Sequence, residues 1–313
     1  MRDGMCRRRD THVITKTRTA ERAVKPDQAG QRPAWRPTPL VEATPPEAPA
    51  GVSILAKLES MNPGLSVKDR VASFVLEERL RRAPELAEAT FVEASSGNTA
   101  VALALAAGRL GVRAWLFVPR SAGGARLARI RCLGARLTVT PSDEGTAGAQ
   151  RRAMAAADDP GCVYLDQHGT GLNPTVHALT TGPEILRQSD GAVDGFAAAV
   201  GTGGTLLGVA EALRTAGGEP ELLGAIPGRE SAIPGIRRPD PRNVPLHRRL
   251  SGVPLAEVSA ERAGELATWV ASSLGHPVGP SSGAALEAAM MLGAEMGGGV
   301  VATVFPDHGF NYL

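Results

Sequence analysis

The sequence predicts an α/β protein of two doubly wound domains, in which helices cover both faces of mostly parallel sheets. Two observations support this prediction. Short apolar runs of strand length alternate with stretches of helical periodicity, which is the pattern of parallel βαβ units. The alternation continues on both sides of residue 175, and turns rich in glycine and serine follow several of the strands.

The elements follow in order from the spacing of the apolar residues. The first strand is expected at Val52–Leu58, and the first helix at residues 67–82, because Val67, Val71 and Val75 share one helix face. Further strands are predicted at residues 90–93, 113–118, 136–140, 195–200, 221–226 and 300–305. Further helices are predicted at residues 99–110, 125–133 and 205–214, with a last one from residue 282. We place an N-terminal domain at residues 37–175 and a C-terminal domain at residues 176–313.

Composition and charge exclude several classes of protein. The 313 residues carry a formal net charge of only +2, which gives no reason to expect nucleic acid as a partner. No apolar run is long enough to cross a bilayer, and the N-terminus lacks the apolar centre of a secretory signal, so we expect a cytoplasmic protein. Residues 1–36 are polar, basic and poor in large apolar side chains, which predicts a disordered tail.

The cysteines indicate neither a disulfide framework nor a zinc site. There are three, Cys6, Cys132 and Cys162, an odd number without the paired spacing of metal-binding motifs. We therefore expect no metal in this protein, and we expect Cys132 and Cys162 to be buried thiols.

A glycine-rich turn after one predicted strand is the first of four unusual strand-to-helix junctions. Residues 201–205, Gly-Thr-Gly-Gly-Thr, open the helix that follows. Glycines let a backbone approach an anion closely, and the free N–H groups of a helix start then point at it. The turn lacks the Gly-Lys-Ser/Thr of a Walker loop. It suggests a phosphate site, although a tight connection alone would need similar residues.

A lysine occupies an unfavourable place at the second junction. After the turn Asn62-Pro63-Gly64, Ser66 is a candidate N-cap, so that Lys68 falls in the first helical turn, where the helix dipole disfavours positive charge. A lowered pKa would suit an amine that must be neutral to form an imine or accept a proton. Taken alone, the position fits an ordinary solvated lysine better.

The other two junctions place small polar side chains at helix starts. Residues 95–99, Ser-Ser-Gly-Asn-Thr, offer several hydroxyl and amide groups together, as a bound carboxylate requires. Residues 279–284, Gly-Pro-Ser-Ser-Gly-Ala, begin the last long helix. Each segment on its own is also consistent with nothing more than a capped helix start.

Taken together and in this order, the motifs resemble a known family. Segments of the cysteine synthase and cystathionine β-synthase family are similar to KLESMNPGLSVKDR, EASSGNTAVALA, TTGPEI, GTGGT, GPSSGAA and the closing FPDHGFNYL. These are pyridoxal-phosphate (PLP) enzymes of fold type II, with a fold like that of the tryptophan synthase β subunit. The resemblance covers residues 37–313 and implies a homodimeric transferase with PLP in the cleft between its two domains.

The resemblance implies a role for each motif toward the cofactor. Lys68 would form the Schiff base and later act as general base, and Asn98 would hydrogen-bond the phenolic oxygen. Ser281 would contact the pyridine nitrogen, where a hydroxyl leaves the ring a weaker electron sink than a carboxylate does and so favours α,β-elimination. The phosphate would be held by Gly201, Thr202, Gly203, Gly204 and Thr205.

The resemblance also implies the substrate and the reaction. The substrate carboxylate would be bound by Ser95, Ser96, Asn98, Thr99 and Gln167. The reaction would replace the β-substituent of an O-activated L-serine, either O-acetylserine or O-phosphoserine, through an aminoacrylate. The leading prediction is a cysteine synthase, whose partners are this small amino acid and a small nucleophile.

Three segments depart from the family pattern, all on the side of the nucleophile and the leaving group. Residues 168–172 and 234–239 differ from the usual sequences, and His308 stands where serine is frequent. The second segment contains Arg237 and Arg238, which suit an anionic leaving group or an acidic nucleophile, because a guanidinium binds oxyanions in bidentate fashion. The alternative is that both are solvated loop arginines.

These departures leave other functions open. A related synthase would use an amine or an amino acid as nucleophile, as family members do that make diaminopropionate precursors in secondary metabolism. A serine or threonine dehydratase shares the fold but would release a keto acid without any nucleophile. A non-catalytic binding protein is a third alternative, and the presence of Lys68, Asn98 and Ser281 argues against it.

Overall fold

Residues 37–166 and 171–312 are described by the computed structural model of the protein. The predicted tail, residues 1–36, and Gln167 lie outside the described residues. In chain order the strands β1 to β10 are Leu40–Glu42, Val52–Leu58, Thr90–Ala94, Arg113–Pro119, Arg136–Thr140, Cys162–Tyr164, Gly195–Ala199, Glu221–Pro227, Leu255–Val258 and Gly299–Phe305. The helices α1 to α9 are Lys68–Arg82, Asn98–Leu110, Gly124–Cys132, Gly145–Ala156, Leu172–Val176, Gly182–Gln188, Gly204–Thr215, Ala260–Leu274 and Pro280–Met296.

The strands form two sheets, and the predicted α/β class is confirmed. The larger sheet has the order β1-β2-β10-β7-β8-β9, in which only the short edge strand β1 pairs antiparallel with its neighbour. The smaller sheet, β5-β4-β3-β6, is entirely parallel. Strands β1 and β2 precede residue 175 but lie in the same sheet as the strands that follow it. The domain boundary at that residue stays a prediction.

Each sheet is buried under helices, as parallel sheets require. Helix α9 packs on β7, β8 and β10, and the side chains of Val301 and Phe305 on β10 are fully buried. In the smaller sheet, Phe91 of β3 belongs to one apolar cluster with Leu103 of α2 and Ile130 of α3. These two cores fix the strand ends, and the strand ends determine where the loops meet.

Most predicted elements lie within two residues of their predicted bounds. Strands β1, β6 and β9 and helices α4, α5, α6 and α8 were missed. Helix α8 begins after a serine N-cap, a preference that the sequence shows: the hydroxyl of Ser259 accepts a hydrogen bond from the Arg262 N–H at 3.1 Å. Among the described residues, no helix is long and apolar enough to span a membrane.

Two local predictions were wrong. The N-cap position of α1 is Val67 rather than Ser66, although the Ser66 hydroxyl still accepts a hydrogen bond from the Lys68 N–H at 3.3 Å. Cys132, the last residue of α3, is exposed rather than buried because it lies on the solvent side of that helix. Cys162 is only partly buried. A single residue in a mixed pattern does not reveal which helix face it occupies.

A buried cluster of charges ties α1 to the larger sheet. The guanidinium of Arg70, fully buried, contacts Glu59 and Glu184, each at 2.7 Å. Lys57 on β2 lies 2.8 Å from the second carboxylate of the cluster, Glu184 on α6. Thr38 donates a hydrogen bond of 2.8 Å to Glu59. Two cations and two anions therefore balance, and they hold the start of α1 in place.

Candidate active site

One pocket lies at the carboxyl ends of β7 and β10, where α1, α2, α7 and α9 begin. Its lining includes Lys68 from α1, Asn98 from α2, Ser281 from α9 and residues 201–205 before α7. Adjacent parallel strands end at the same sheet edge, so the topology brings together residues that are far apart in the sequence. Gly235 and Ile236, from the divergent segment 234–239, also line the pocket. Sequence reasoning missed the other lining residues, namely Val67, Ala198, Ala199, Val304, Pro306 and Asp307.

Lys68 is the first residue of α1 and its side chain is partly buried in this pocket. Burial lowers the pKa of the Lys68 amine below its usual value. The Asp307 carboxylate opposes the lowering of this pKa, and the Arg237 guanidinium adds to it. The site therefore makes the neutral amine, the form that attacks carbonyl carbon and accepts protons, more accessible than on a free lysine.

The turn of residues 201–205 forms a cup that only glycine can build. Gly203 has a φ of +84°, in the left-handed region that favours glycine. A Cβ on Gly201 would lie 2.7 Å from the carbonyl oxygen of Gly235, and one on Gly204 would lie 2.0 Å from Oδ1 of Asn173. At the start of α7 the backbone can therefore come close to a bound group, and the N–H groups of the first helical turn face the pocket.

A buried histidine orders the hydroxyls around this cup. Nε2 of His177 lies 3.3 Å from Oγ1 of Thr205, and Nδ1 lies 2.9 Å from Oγ1 of Thr181. Burial lowers the pKa of His177 to about 3, so the ring is neutral at physiological pH. The tautomer protonated at Nε2 donates to Thr205 and leaves the Thr205 hydroxyl proton for an anion in the cup. His177 lies in the π-helical turn His177–Thr181, and such turns are frequent at functional sites.

Asp307 is a pocket residue that sequence reasoning missed. It follows β10 and is only 3% exposed. Its Oδ2 accepts hydrogen bonds from Nδ2 of Asn98 and from the hydroxyl of Tyr312, both at 2.6 Å. Burial raises the pKa of Asp307, and these two hydrogen bonds counteract the rise. An acidic residue two positions after a buried strand is the signal that could have found it.

The predicted substrate-carboxylate residues of segment 95–99 occupy the turn before α2 and the first two residues of that helix. Ser95, Ser96 and Thr99 flank Asn98 in this turn, but they are not among the residues that line the pocket. Gln167 lies outside the described residues. The role of these four residues stays a prediction.

The same turn is tied to the end of the described chain. Arg126 on α3 donates to the carbonyl oxygen of Ser96 at 2.8 Å and to that of Asn311 at 2.5 Å. Thr146 donates to the Ser96 hydroxyl at 3.0 Å. These contacts link the turn, α3, α4 and the C-terminal segment into one wall beside the pocket.

The two loop arginines, Arg237 and Arg238, have different surroundings in the structure. Arg238 pairs with Glu257 at 2.8 Å and donates to the carbonyl oxygen of Pro227 at 3.1 Å, so its guanidinium is already engaged. The Arg237 guanidinium is exposed and has no ion-pair partner among the described residues, but it lies near enough to Lys68 to lower the pKa of that amine. Of the two, Arg237 is the one available to an anion at the pocket.

Residues 31–307 match the model of a family described as pyridoxal-phosphate dependent enzymes. The chain belongs to this family. Among its relatives, cysteine synthase B of Pseudomonas aeruginosa is 34% identical over 277 residues, which are 88% of this chain and 93% of the relative. A cysteine synthase of Aquifex aeolicus is 36% identical over 293 residues, covering 88% of each chain.

A solved structure supports the same family and fold for this PLP-dependent enzyme. The O-acetylserine-dependent cystathionine β-synthase of Helicobacter pylori superposes with a TM-score of 0.78 at 30% identity, covering 88% of this chain and 94% of the other. The predicted family, fold type and cofactor are confirmed, while the roles of individual residues stay predictions.

The residues of the pocket fit PLP. The glycine cup, closed to any Cβ, and the neutral His177 beside Thr205 suit a phosphate group. Ser281 is buried at the start of α9 and lines the pocket, where its hydroxyl can serve a ring nitrogen. When bound, PLP supplies an aldehyde carbon for an imine and a ring that accepts electrons from the substrate's α-carbon.

We expect Gly204→Ala to weaken PLP binding by about 10- to 100-fold, the loss of one or two hydrogen bonds to a charged group. The new methyl group would collide with Asn173 and move the backbone of the cup. A matched control is Gly264→Ala on α8, where a Cβ meets nothing within 4 Å. Titrating apoenzyme with PLP and following protein fluorescence measures both variants, and equal affinities would contradict the phosphate assignment.

Proposed function

We propose that the protein catalyses PLP-dependent β-replacement on an O-activated L-serine, with sulfide as nucleophile, and is thus a cysteine synthase. The observation that carries the proposal is the placement of the Lys68 amine in one pocket with Asn98, Ser281 and the glycine cup. The similarity to cysteine synthases along 88% of the chain supports the same reaction class.

The side chains of the pocket have separate tasks in this proposal. Lys68, whose pKa is lowered by burial, takes the proton from the substrate's α-carbon as general base. Asn98 and Ser281 would hydrogen-bond the cofactor ring, and Thr205 would donate to its phosphate. Because Ser281 is a neutral hydroxyl, it stabilises less negative charge on the ring than a carboxylate partner would and so favours loss of the β-substituent.

The turn before α2 is proposed to hold the substrate carboxylate. Ser95, Ser96 and Thr99 supply hydroxyl groups there, and Gln167 is proposed to add an amide donor. Arg126 fixes the backbone of this turn through the carbonyl oxygen of Ser96. Binding of the carboxylate would then close the pocket mouth and exclude water from the reacting carbon.

Product analysis tests the proposal against its alternatives. Purified enzyme is mixed with O-acetylserine or O-phosphoserine, first without a nucleophile and then with sulfide, amines or amino acids. We expect cysteine to form with sulfide at least about 10-fold faster than any other product, the factor that corresponds to 1.4 kcal/mol in barrier height. Rapid keto-acid release without a nucleophile would indicate the dehydratase instead, and a faster reaction with an amine would indicate the diaminopropionate type.

Arg237 is proposed to bind an anionic group of the second substrate or the leaving group. We expect Arg237→Gln to raise the KM for O-phosphoserine by about 10-fold, the value of one charge-assisted hydrogen bond, while the KM for O-acetylserine stays unchanged. Arg238→Gln is the matched control, because its guanidinium is engaged by Glu257. Equal effects of both substitutions, or an Arg237→Gln enzyme with unchanged kinetics for every donor and nucleophile, would contradict this role.

The homodimer and the cytoplasmic location are proposed from the family resemblance alone. A mass in solution of twice the 32.4 kDa of the chain would support the dimer. Light scattering of the purified enzyme measures this mass, and a monomer would contradict the proposal.

A further inference from the structure

Three side chains from two distant parts of the sequence form one hydrogen-bonded unit in the pocket wall. Asn98 at the start of α2 donates through Nδ2 to Oδ2 of Asp307, at 2.6 Å. The hydroxyl of Tyr312 donates to the same oxygen, also at 2.6 Å. Both Asn98 and Asp307 line the pocket, so the unit reaches from the C-terminal segment to the space beside Lys68.

The contact determines which end of the Asn98 amide faces the carboxylate. An asparagine side chain has two N–H donors at Nδ2 and an acceptor oxygen at Oδ1. A carboxylate that already accepts from a tyrosine hydroxyl attracts Nδ2 and repels Oδ1. The amide is therefore held in one orientation, and its second N–H donor is left for another acceptor.

The backbone beside this unit leaves room for it because residue 279 is a glycine. A Cβ on Gly279 would lie 2.2 Å from Oδ1 of Asp307 and 2.5 Å from Cε2 of Tyr312. Asp307 is nearly fully buried, and its Oδ1 has no hydrogen-bond partner among the described residues. Burying a carboxylate oxygen without a partner is unfavourable, and groups of this kind are retained where a site needs them. The charged groups near Asp307 are Lys68 and Arg126.

We propose that Asp307 is a positioning residue of the PLP site, which fixes the amide of Asn98 toward the cofactor and is itself fixed by Tyr312. The inference rests on the proposed contact between Asn98 and the cofactor. Asp307 acts through Asn98, so its contribution to PLP binding exists only while Asn98 is present.

A double-mutant cycle tests this dependence. Apoenzyme with Asn98→Ala, with Asp307→Ala and with both substitutions is titrated with PLP, and the dissociation constant and the visible absorption maximum of the bound cofactor are recorded. We expect each single substitution to weaken PLP binding by about 10-fold, the value of one hydrogen bond to a charged group. The double variant should bind PLP no more weakly than Asn98→Ala, with the same absorption maximum.

The experiment distinguishes a failure of the proposed contact between Asn98 and the cofactor from a failure of the positioning role of Asp307. An Asn98→Ala enzyme with unchanged affinity and absorption would overturn the proposed cofactor contact and, with it, the positioning role. If Asn98→Ala weakens binding but Asp307→Ala does not, or if the two effects simply multiply, the positioning role alone is overturned.

Two further variants keep the test decisive if Asp307→Ala fails to fold. Tyr312→Phe removes only the hydroxyl that holds Asp307, and we expect a smaller weakening of PLP binding, which vanishes when Asn98 is alanine. Asp307→Asn keeps an acceptor oxygen and should bind PLP more tightly than Tyr312→Phe combined with Asp307→Ala. Phe310→Ala is the control, since this neighbouring side chain is 63% exposed and should leave PLP affinity unchanged. A Tyr312→Phe effect that persists without Asn98 would contradict the proposal.

Discussion

Replacing Lys68 by alanine is expected to abolish covalent attachment of PLP and to lower turnover by about 10³-fold or more. The same amine is proposed to form the imine and to act as general base, and loss of a general base alone typically lowers rates by about 10²- to 10⁴-fold. Borohydride reduction of the holoenzyme followed by mass spectrometry of the peptide that contains residue 68 measures the attachment. Cofactor mass on that peptide is expected in the wild-type enzyme and not in the variant.

Ser66→Ala is the matched control for this substitution. It removes the hydroxyl that accepts from the Lys68 N–H at 3.3 Å, but it leaves the amine in place. We expect the covalent attachment to survive in this variant. Cofactor bound covalently to Lys68→Ala protein, or undiminished turnover by it, would refute the assignment of Lys68.

Replacing Arg70 by methionine is expected to lower the free energy of unfolding by about 3–5 kcal/mol, the usual effect of removing one partner of a buried ion pair. The substitution would leave the carboxylates of Glu59 and Glu184 buried with only Lys57 to neutralise them. Urea unfolding of the apoenzyme, in which PLP does not add to stability, measures the change.

Two further variants separate this effect from loss of a surface charge. Arg81→Met removes an exposed guanidinium that pairs with Glu78, and we expect almost no change in stability. Arg70→Met combined with Glu59→Gln and Glu184→Gln should recover part of the loss, because the uncompensated carboxylates are gone. If Arg70→Met unfolds at the same urea concentration as Arg81→Met, the buried cluster is not a stabilising element.

The pH dependence of stability follows from the same cluster. Burial alone would raise the pKa of Glu59, but Arg70 and the hydrogen bonds of Thr38 and Asn62 lower it to about 2, from an ordinary value of 4.5. A depressed pKa in the folded state contributes stability above the unfolded value, and this contribution is lost as the pH falls. We expect the wild-type enzyme to lose stability between about pH 4.5 and pH 2, and Glu59→Gln to show a shallower loss.

The sequence was most informative where local rules decide the structure. Apolar periodicity predicted the strands Val52–Leu58 and Arg136–Thr140 to the residue. The junctions at residues 201–205 and at Lys68 were found for the same reason, since strand ends and helix starts have readable residue preferences. The structure brings both of these segments into one pocket.

The rest depended on contacts between distant segments, which no local rule reveals. Asp307 lies beside Asn98 only because the end of β10 in the larger sheet meets the start of α2, which follows β3 of the smaller sheet. His177 reaches Thr205 through a π-helical turn that has no clear sequence signature. Arg237 and Arg238 are chemically identical neighbours, and only the position of Glu257 distinguishes them.

The place of the last strand has a consequence for how the enzyme is made. β10 lies between β2 and β7 and follows all the other strands of the larger sheet in sequence, so the middle of this sheet is translated after its flanks. A nascent chain still held in the ribosome can form the smaller sheet but must leave β2 and β7 without their shared neighbour. The catalytic pocket therefore cannot mature until β10 has left the ribosome, and chaperones that shield open strand edges would act in that interval.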